Sequence, residues 1–294
     1  MRSLGTGPWS YRGGRGTGPS GSTHGCFVAG PLEDGPIDDG PLRDEPADLR
    51  EDRGVAPHYA SLLDPPIGFA HRGARAHARE NTLEAFALAL RLGAKGLETD
   101  AWITADGIVV LDHDGTVRRR GRQRAIAGIG RADLPAHIPT LGGLVALCAA
   151  DTHVSIDLKD PRAGALVIDE VQRTRPDLLP RLWLCMASVD DLVALRPLDP
   201  QVRLVNSTHL KSMKGGPERR AAALAEQGID AVNLHHTEWT PGLTALFHRF
   251  DRCCFAWDLQ HEHLLRRILE FGMDGVYSDW VDRMNDALIA YQLG

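Results

Sequence analysis

Long apolar runs are absent from this 294-residue sequence. No window approaches about 18 uninterrupted apolar residues, so we predict no membrane span. The segment 1–22 also lacks an apolar core of the kind that a secretory signal has, and we therefore expect no such signal. An excess of basic charge is absent too, because 33 Lys and Arg residues face 39 Asp and Glu residues, for a formal net charge of −6. Non-specific nucleic-acid binding needs a basic surface, so we expect no nucleic-acid partner.

Cysteine is scarce: the chain has five cysteines and no Cys-x-x-Cys pair, which leaves a thiolate zinc site unsupported. Cys148, Cys185 and Cys254 lie in apolar runs, where a cysteine usually behaves as a small core residue. We therefore expect a reducing cytoplasm and no disulfide. The composition predicts nothing about the oligomeric state.

The first 64 residues are rich in Gly, Pro, Asp and Arg and have almost no periodic apolar pattern. Such a segment buries too little apolar surface to offset its ordering entropy. We interpret residues 1–64 as a disordered tail, with a regulatory docking arm as the alternative.

From Pro65 onward, short apolar runs alternate with helical patterns. This alternation is typical of a parallel sheet, and about eight such units in roughly 230 residues favour an α/β fold of the TIM (β/α)₈ barrel type over residues 65–294. Candidate strands are 67–70, 95–101, 108–112, 153–158, 182–186, 202–206, 230–234, 253–257 and 274–278. Candidate helices are 81–93, 140–150, 163–174, 189–195, 217–227, 241–249, 260–271 and 281–292.

One link is too short for a parallel crossover. Only six residues, WITADG, separate 95–101 from 108–112, so we predict a local antiparallel hairpin here. Asp-Gly at 106–107 is a strong signal for a two-residue turn, which would place Asp100 opposite His113. Glu98 shares a face with Asp100 because the two are two residues apart on a strand. The spacing therefore predicts that Glu98, Asp100 and His113 converge.

Two carboxylates on one face of an apolar strand repel each other when they are unpaired. Oxygen ligands of this kind suit Mg²⁺ or Ca²⁺, so Glu98 and Asp100 are candidate metal ligands. The alternative is an outward, solvated acidic pair on an edge strand.

Several further candidate strands end in polar residues. His71 and Arg72 follow the first strand, His113 follows the hairpin, and Asp157 and Lys159 share a face of the strand 153–158. In a (β/α)₈ barrel, polar groups at the carboxyl ends of the strands form the catalytic site. A histidine at such a position can act as a general acid or base, although a lone histidine is more often a satisfied structural residue. The basic run RRRGRQR at 118–124 is interpreted as a solvated loop, with a collar for anionic substrate or a lipid surface as the alternative.

A family resemblance covers about residues 67–282. In order, the chain carries AHRGARAHARENTLEAF, GLETDAWITADGIVVLDHDGT, IPTLGGL, SIDLKD, FAWDLQ and GMDGVYSDW. This series resembles the glycerophosphodiester phosphodiesterase family, with its His-Arg-Gly…Glu-Asn-Thr, Glu-x-Asp, His-Asp, acid-x-Lys and closing Thr-Asp motifs. Long ordered motifs are a far more specific signal than a lone His-Arg-Gly.

The resemblance implies a TIM-barrel enzyme of glycerophospholipid metabolism that uses one divalent metal ion, Mg²⁺ or Ca²⁺. Such an enzyme hydrolyses small-molecule glycerophosphodiesters to sn-glycerol 3-phosphate and an alcohol. Residue by residue, it implies His71 and His113 as the acid/base pair and Glu98, Asp100 and Asp157 as the metal ligands. It also implies that Arg72 and Lys159 bind the phosphate and that Trp257 forms one wall of the substrate pocket.

The chain also departs from the family pattern. Asp157 stands where glutamate is usual, Arg79 where proline is common, WDLQ where Trp-Thr-Val-Asn is usual, and SDWV where Thr-Asp-Tyr-Pro is usual. These departures leave open the alcohol leaving group and whether Asp157 binds metal directly or through water. Two alternatives therefore remain: a phospholipase D-like enzyme acting on lysophospholipids or sphingolipids, and a non-catalytic phosphoester-binding barrel.

Overall fold

The structure, a computed structural model, describes residues 59–119 and 121–293. Most of the predicted tail, residues 1–58, lies outside the described residues. Within this part of the chain, no helix combines the length and the apolar character needed to cross a bilayer. The cysteines at 148, 185, 253 and 254 are free thiols.

Eight parallel strands form a closed barrel, as the strand–helix alternation predicts. The barrel closes because the first strand pairs in parallel with both the last strand and the second. In chain order the strands are β1 (Ile67–Ala70), β2 (Gly96–Ile103), β3 (Val109–Leu111), β4 (Thr116–Arg119), β5 (Arg122–Ala125), β6 (His153–Leu158), β7 (Leu182–Met186), β8 (Arg203–Ser207), β9 (Ala231–His235), β10 (Cys253–Trp257) and β11 (Gly275–Ser278). Strands β3, β4 and β5 stand outside the parallel barrel.

The helices follow the strands and cover the outside of the barrel. They are α1 (Leu83–Arg91), α2 (Leu141–Leu147), α3 (Ala163–Thr174), α4 (Val189–Leu195), α5 (Gly216–Glu226), α6 (Pro241–His248), α7 (Glu262–Glu270) and α8 (Val281–Leu293). Four strands and two helices have the bounds that the sequence predicts, and the other predicted elements differ by a few residues at their ends. Helix ends are fixed by local caps such as Thr82, whose hydroxyl accepts a hydrogen bond from Ala85 N at 3.2 Å.

Aromatic side chains fill the interior of the barrel. The rings of Phe69 and Tyr277 stack with their centroids 4.8 Å apart, and Trp183 meets Phe255 edge-on at 5.0 Å. This cluster is separate from the larger apolar layer between strands and helices. It makes the barrel a packed core, so that only the ends of the strands are open to ligands.

The predicted hairpin exists, but its predicted register is wrong by one residue. Strand β3 pairs antiparallel with β2 so that Ala101 lies opposite Leu111, which places Asp112, not His113, beside Asp100. The loop has three residues rather than two: Thr104 N donates to Ile108 O, and Gly107 has φ +81°. Such a loop is a type I turn followed by a left-handed residue, the second commonest hairpin connection.

The basic run after His113 is also not a loop. It forms the antiparallel pair β4–β5, in which Val117 lies opposite Arg124. Val117 is buried and packs with Ile126 and Leu134 in a small apolar cluster outside the barrel. A single apolar residue before a run of arginines is too weak a pattern to predict a strand.

Asp274 joins the segment before β1 to the bottom of the barrel. It is fully buried, and one carboxylate oxygen accepts hydrogen bonds from Ser61 Oγ at 2.7 Å and from Leu62 N at 2.5 Å. The other oxygen accepts from His248 Nε2 at 2.8 Å and from Cys254 N at 2.6 Å. Both carboxylate oxygens of Asp274 therefore have to act as acceptors for these buried hydrogen bonds to form.

We expect Asp274→Asn to lower the free energy of unfolding by about 3 kcal/mol, because one acceptor becomes an NH₂ group that faces donors in a buried site. Urea unfolding followed by circular dichroism measures the change. Asp151→Asn is the matched control, since Asp151 is exposed and its ion pair with Lys95 contributes little. Equal stability of both variants would contradict the role given to Asp274.

Candidate active site

A cavity of about 730 Å³ opens at the carboxyl ends of the barrel strands. All eight residues that the sequence singles out line it, from β1 and β2 on one side to β10 on the other. They are His71, Arg72, Glu98, Asp100, His113, Asp157, Lys159 and Trp257. The parallel strands bring these residues together although as many as 186 positions separate them in the chain.

His71 follows the last residue of β1 and is held by a carboxylate from the turn after β11. Its Nδ1 donates to Asp279 Oδ1 at 2.6 Å, and its Nε2 lies 3.9 Å from Glu98 Oε2. Burial lowers the pKa of His71, but the charge of Glu98 and the hydrogen bond to Asp279 outweigh it, so that the pKa is raised overall. The bond at Nδ1 leaves Nε2 as the nitrogen available to a ligand.

Arg72 and Gly73 turn the chain sharply at the mouth of the barrel. Both have positive φ, +53° and +81°, and a Cβ on Gly73 would lie 2.7 Å from the carbonyl carbon of Ala85. This turn points Arg72 N at Glu98 Oε2, to which it donates at 2.9 Å. The glycine is therefore required both by its conformation and by the close approach of α1.

Glu98 and Asp100 project from β2 into the cavity, and both are buried. Burial raises the pKa of Glu98 to about 7, with a further contribution from the charge of Asp100, although His71 opposes the shift. Asp100 Oδ2 accepts from Asn81 Nδ2 at 3.0 Å and lies 3.4 Å from Arg72 Nε. The pair is therefore a buried acidic centre, with Arg72 and Lys159 beside Asp100 and His71 beside Glu98.

Lys159 lies between two of the predicted metal ligands. Its Nζ is 2.6 Å from Asp157 Oδ2 and 3.1 Å from Asp100 Oδ1. Burial lowers the pKa of Lys159, but the two carboxylates outweigh it and raise the pKa well above its usual value. Lys159 is therefore always charged, and it neutralises Asp157 more closely than Asp100.

His113 reaches the cavity by a different route from the one predicted. Because β3 ends at Leu111, His113 lies in the following loop, where the alternation of side chains along a strand does not determine which way it points. Its Nδ1 donates to Asp114 Oδ1 at 2.8 Å, and Asp112 Oδ2 holds the loop by accepting from Gly115 N at 2.8 Å. His113, Glu98 and Asp100 all line the cavity, although the register from which their convergence was predicted is wrong.

Trp257 lines the opposite side of the cavity, at the end of β10. Its ring meets the imidazole of His235 edge-on with centroids 4.6 Å apart, and that of His209 at 6.2 Å. The edge contacts fix the plane of the indole, which makes it a rigid wall.

Sequence reasoning missed two positioning residues. Thr82 caps α1, whereas Asn81 donates to Asp100 Oδ2 and accepts from Thr99 Oγ1 at 2.7 Å. Asp279, the partner of His71, stands at the aspartate of the closing Thr-Asp motif, so a signal for it was present. No spacing rule joins Asn81 to Asp100, because their contact depends on how α1 packs.

Two groups of described residues bring three potential metal ligands within 4.8 Å of one another. They are His235, His236 and Asp258 at the mouth, and His248, Cys254 and Asp274 at the bottom of the barrel. The predicted set of Glu98, Asp100 and Asp157 is not among the groups that the described residues form at this spacing.

Comparison with known proteins relates this chain to one family. Residues 71–139 match the model of the glycerophosphoryl diester phosphodiesterase family. A probable glycerophosphodiester phosphodiesterase 2 of Mycobacterium tuberculosis is 28% identical over 257 residues, which cover 76% of this chain and 91% of the relative. Glycerophosphodiester phosphodiesterase 1 of Bos taurus is 56% identical over 50 residues, which cover 17% and 15% of the two chains.

Solved structures share the fold over most of the chain. A putative glycerophosphoryl diester phosphodiesterase from Silicibacter pomeroyi superimposes with a TM-score of 0.67 and 25% identity, covering 77% of this chain and 94% of the other. A phosphodiesterase from Oleispira antarctica, solved in complex with the product sn-glycerol 3-phosphate, has a TM-score of 0.65 and 22% identity, covering 77% and 98%.

Proposed function

We propose that this chain is an enzyme of the glycerophosphoryl diester phosphodiesterase family, whose model matches residues 71–139, and that it hydrolyses glycerophosphodiesters to sn-glycerol 3-phosphate and an alcohol. The observation that carries the proposal is the grouping, in one cavity, of a buried carboxylate pair with two histidines and two cations. The product complex of the Oleispira antarctica relative supports the same reaction for a protein of this fold.

We assign one divalent metal ion, Mg²⁺ or Ca²⁺, to Glu98 and Asp100, with Asp157 as the third ligand. The fit is supported by the raised pKa of Glu98, since burial and the charge of Asp100 both oppose its ionisation and a bound cation would favour it. Asp157 fits less well because Lys159 lies 2.6 Å from it, which favours contact through water. A bound ion would stabilise negative charge on the phosphoryl oxygens and lower the pKa of a nucleophile.

Arg72 and Lys159 would bind the phosphate. Both are charged, both line the cavity beside the carboxylate pair, and both are already oriented by acidic partners. Their charges would stabilise the additional negative charge that develops on the phosphoryl oxygens during transfer.

The histidines would carry the protons. The nucleophile, water or a glycerol hydroxyl of the substrate, forms a bond to phosphorus and gives its proton to one histidine. The bond from phosphorus to the alcohol oxygen then breaks, and the other histidine protonates that oxygen. Attack by water gives sn-glycerol 3-phosphate directly. Attack by a glycerol hydroxyl gives a cyclic glycerophosphate, which water then opens to the same product with the histidine roles reversed. Each imidazole is held through Nδ1, His71 by Asp279 and His113 by Asp114, so Nε2 is the nitrogen that acts.

A substrate panel tests the assignment of substrate. We expect glycerophosphocholine and glycerophosphoethanolamine to be hydrolysed faster than lysophosphatidylcholine at equal concentration. Faster turnover of the lysolipid would favour the phospholipase D-like alternative. Tight binding of glycerophosphocholine without turnover in Mg²⁺, Ca²⁺ or Mn²⁺ would favour a phosphoester-binding barrel.

The pKa of Glu98 predicts how metal binding depends on pH. Below a pKa of about 7, an incoming cation has to displace a proton from Glu98, so we expect metal affinity to fall about tenfold for each pH unit below 7 and to stay constant above it. Calorimetric titration with Mn²⁺ at pH 6, 7 and 8 measures this dependence. Equal affinity at pH 6 and pH 8 would contradict the assignment of Glu98 as a ligand.

A further inference from the structure

A second cluster of potential ligands lies on the Trp257 side of the mouth. His235 is the last residue of β9 and His236 follows it, while Asp258 comes directly after Trp257, the residue that pairs with His235 across β9 and β10. Asp258 and Trp257 line the cavity. We propose that His235, His236 and Asp258 form a binding site for a divalent transition-metal ion such as Zn²⁺, separate from the carboxylate site of Glu98 and Asp100.

The distances within the cluster suit a metal. His235 Nε2 lies 3.2 Å from Asp258 Oδ2, close to the roughly 3.0–3.4 Å that separates two ligands bound at about 2.1 Å in octahedral or tetrahedral geometry. The ligand atoms of all three residues lie within 4.8 Å of one another, so a small movement of the His236 side chain would complete the site.

Outer contacts orient His235 for this role. Thr237 holds the Nδ1 edge of His235, because its backbone N–H donates to Nδ1 at 3.3 Å and its Oγ1 lies 2.7 Å from the same atom. Metal binding at Nε2 would move the ring proton to Nδ1, where Thr237 Oγ1 can accept it. The edge contact with Trp257 fixes the plane of the ring. Asp258 is held by Gln260, whose Nε2 donates to Oδ1 at 3.1 Å and leaves Oδ2 directed at His235.

The ionisation states of the ligands agree with this geometry. Burial and the neighbouring imidazole of His235 lower the pKa of His236, which favours the neutral form that binds metal. Burial opposes ionisation of Asp258, but hydrogen bonds from Gln260 and His235 outweigh it and lower its pKa.

The other group of three potential ligands, His248, Cys254 and Asp274, is less suited to a metal ion. Both oxygens of Asp274 already accept hydrogen bonds from backbone and side-chain donors, and burial raises the pKa of Cys254 well above its usual value. A cation there would displace donors that hold the chain together. In the mouth cluster, by contrast, the described partner of Asp258 Oδ2 is His235 itself, and Gln260 and Thr237 bond to atoms that would not bind the metal.

The donor set selects the class of metal. Two imidazoles and one carboxylate suit Zn²⁺, Co²⁺ or Ni²⁺, whereas Mg²⁺ and Ca²⁺ prefer oxygen ligands alone. Three protein ligands leave a coordination position open, as in catalytic rather than structural zinc sites, and Asp258 and Trp257 place the cluster at the edge of the cavity. The ion would therefore offer that position to an oxygen atom of a ligand beside Trp257.

Zn²⁺ titration of the full chain by calorimetry, with Mg²⁺ present in excess, tests the site. We expect one Zn²⁺ to bind with a Kd in the micromolar range or below, and His236→Ala and Asp258→Asn each to weaken it at least tenfold. Co²⁺ provides a second readout, because its visible absorption reports nitrogen ligands. Glu98→Gln should leave the Kd for this Zn²⁺ unchanged. This result would distinguish the Zn²⁺ site from the carboxylate site on which the proposed function rests.

The double variant His261→Ala, His263→Ala is the matched control, since it removes a stacked pair of imidazoles from the same rim region. It should bind Zn²⁺ as the unaltered chain does. A Kd weaker than about 100 µM, or equal Zn²⁺ binding by the unaltered chain and by folded His236→Ala and Asp258→Asn proteins, would overturn the proposal.

Discussion

Replacing His71 by alanine is expected to lower kcat for glycerophosphocholine about 1,000-fold with a smaller change in KM. The residue lies between Asp279 at 2.6 Å and Glu98 at 3.9 Å, and its pKa is raised by their charges. It can therefore hold a proton near neutral pH and deliver it through Nε2. Loss of a proton carrier affects the transition state more than it affects the bound substrate, which is why kcat should fall more than affinity.

His77→Ala is the matched control for this variant. His77 lies six positions further along the same turn region, but its Nε2 faces Asp282 at 3.5 Å and its ring meets Trp280 outside the cavity. We expect its kcat to equal that of the unaltered enzyme. A similar loss in both variants, or no loss in His71→Ala, would contradict the proposed role of His71.

Glu98→Gln is expected to weaken metal binding about 100-fold or more and to lower activity about 100- to 1,000-fold. Glutamine keeps the size of the side chain and can still accept from Arg72 N, so the turn at the mouth should be preserved. The variant removes the negative charge that the cation would neutralise. It also removes the titration near pH 7, so that the residual metal affinity should no longer change between pH 6 and pH 8.

Glu262→Gln serves as the comparison, because Glu262 is an exposed helix residue paired with Arg266. Its metal affinity and activity should equal those of the unaltered enzyme. If Glu98→Gln kept full activity without added metal, the metal assignment would be wrong, whereas the histidine roles would be unaffected.

Much of the barrel is predictable because its strands are short apolar runs between amphipathic helices. The residues at the strand ends are predictable as well. A polar residue such as Lys159, which directly follows β6, lies at the carboxyl end of a barrel strand, and this end forms the mouth of the barrel. The hairpin was predictable in kind from a connection too short for a crossover. The register of the hairpin was not predictable. The loop between Thr104 and Ile108 has three residues and ends in Gly107 at positive φ, and an Asp-Gly pair alone does not distinguish such a loop from a two-residue turn.

The contacts that orient the candidate site depend on packing that the sequence does not encode locally. Asn81 reaches Asp100 because α1 begins beside β2, and Asp279 reaches His71 because the barrel closes between β11 and β1. Lys159 was expected to contact phosphate, and its ion pairs with Asp100 and Asp157 follow from a side-chain conformation rather than from spacing. Such contacts appear only once the sheet is closed.

The formation of sn-glycerol 3-phosphate from glycerophosphocholine, by protein stripped with EDTA and then resupplied with a divalent ion, is the most direct measurement of the central claim. We predict no product from the stripped protein and steady product formation once Mg²⁺ or Ca²⁺ is restored, with choline released in equal amount. Product formation at the same rate in EDTA would contradict metal dependence, and no product with any divalent ion would contradict the proposed activity.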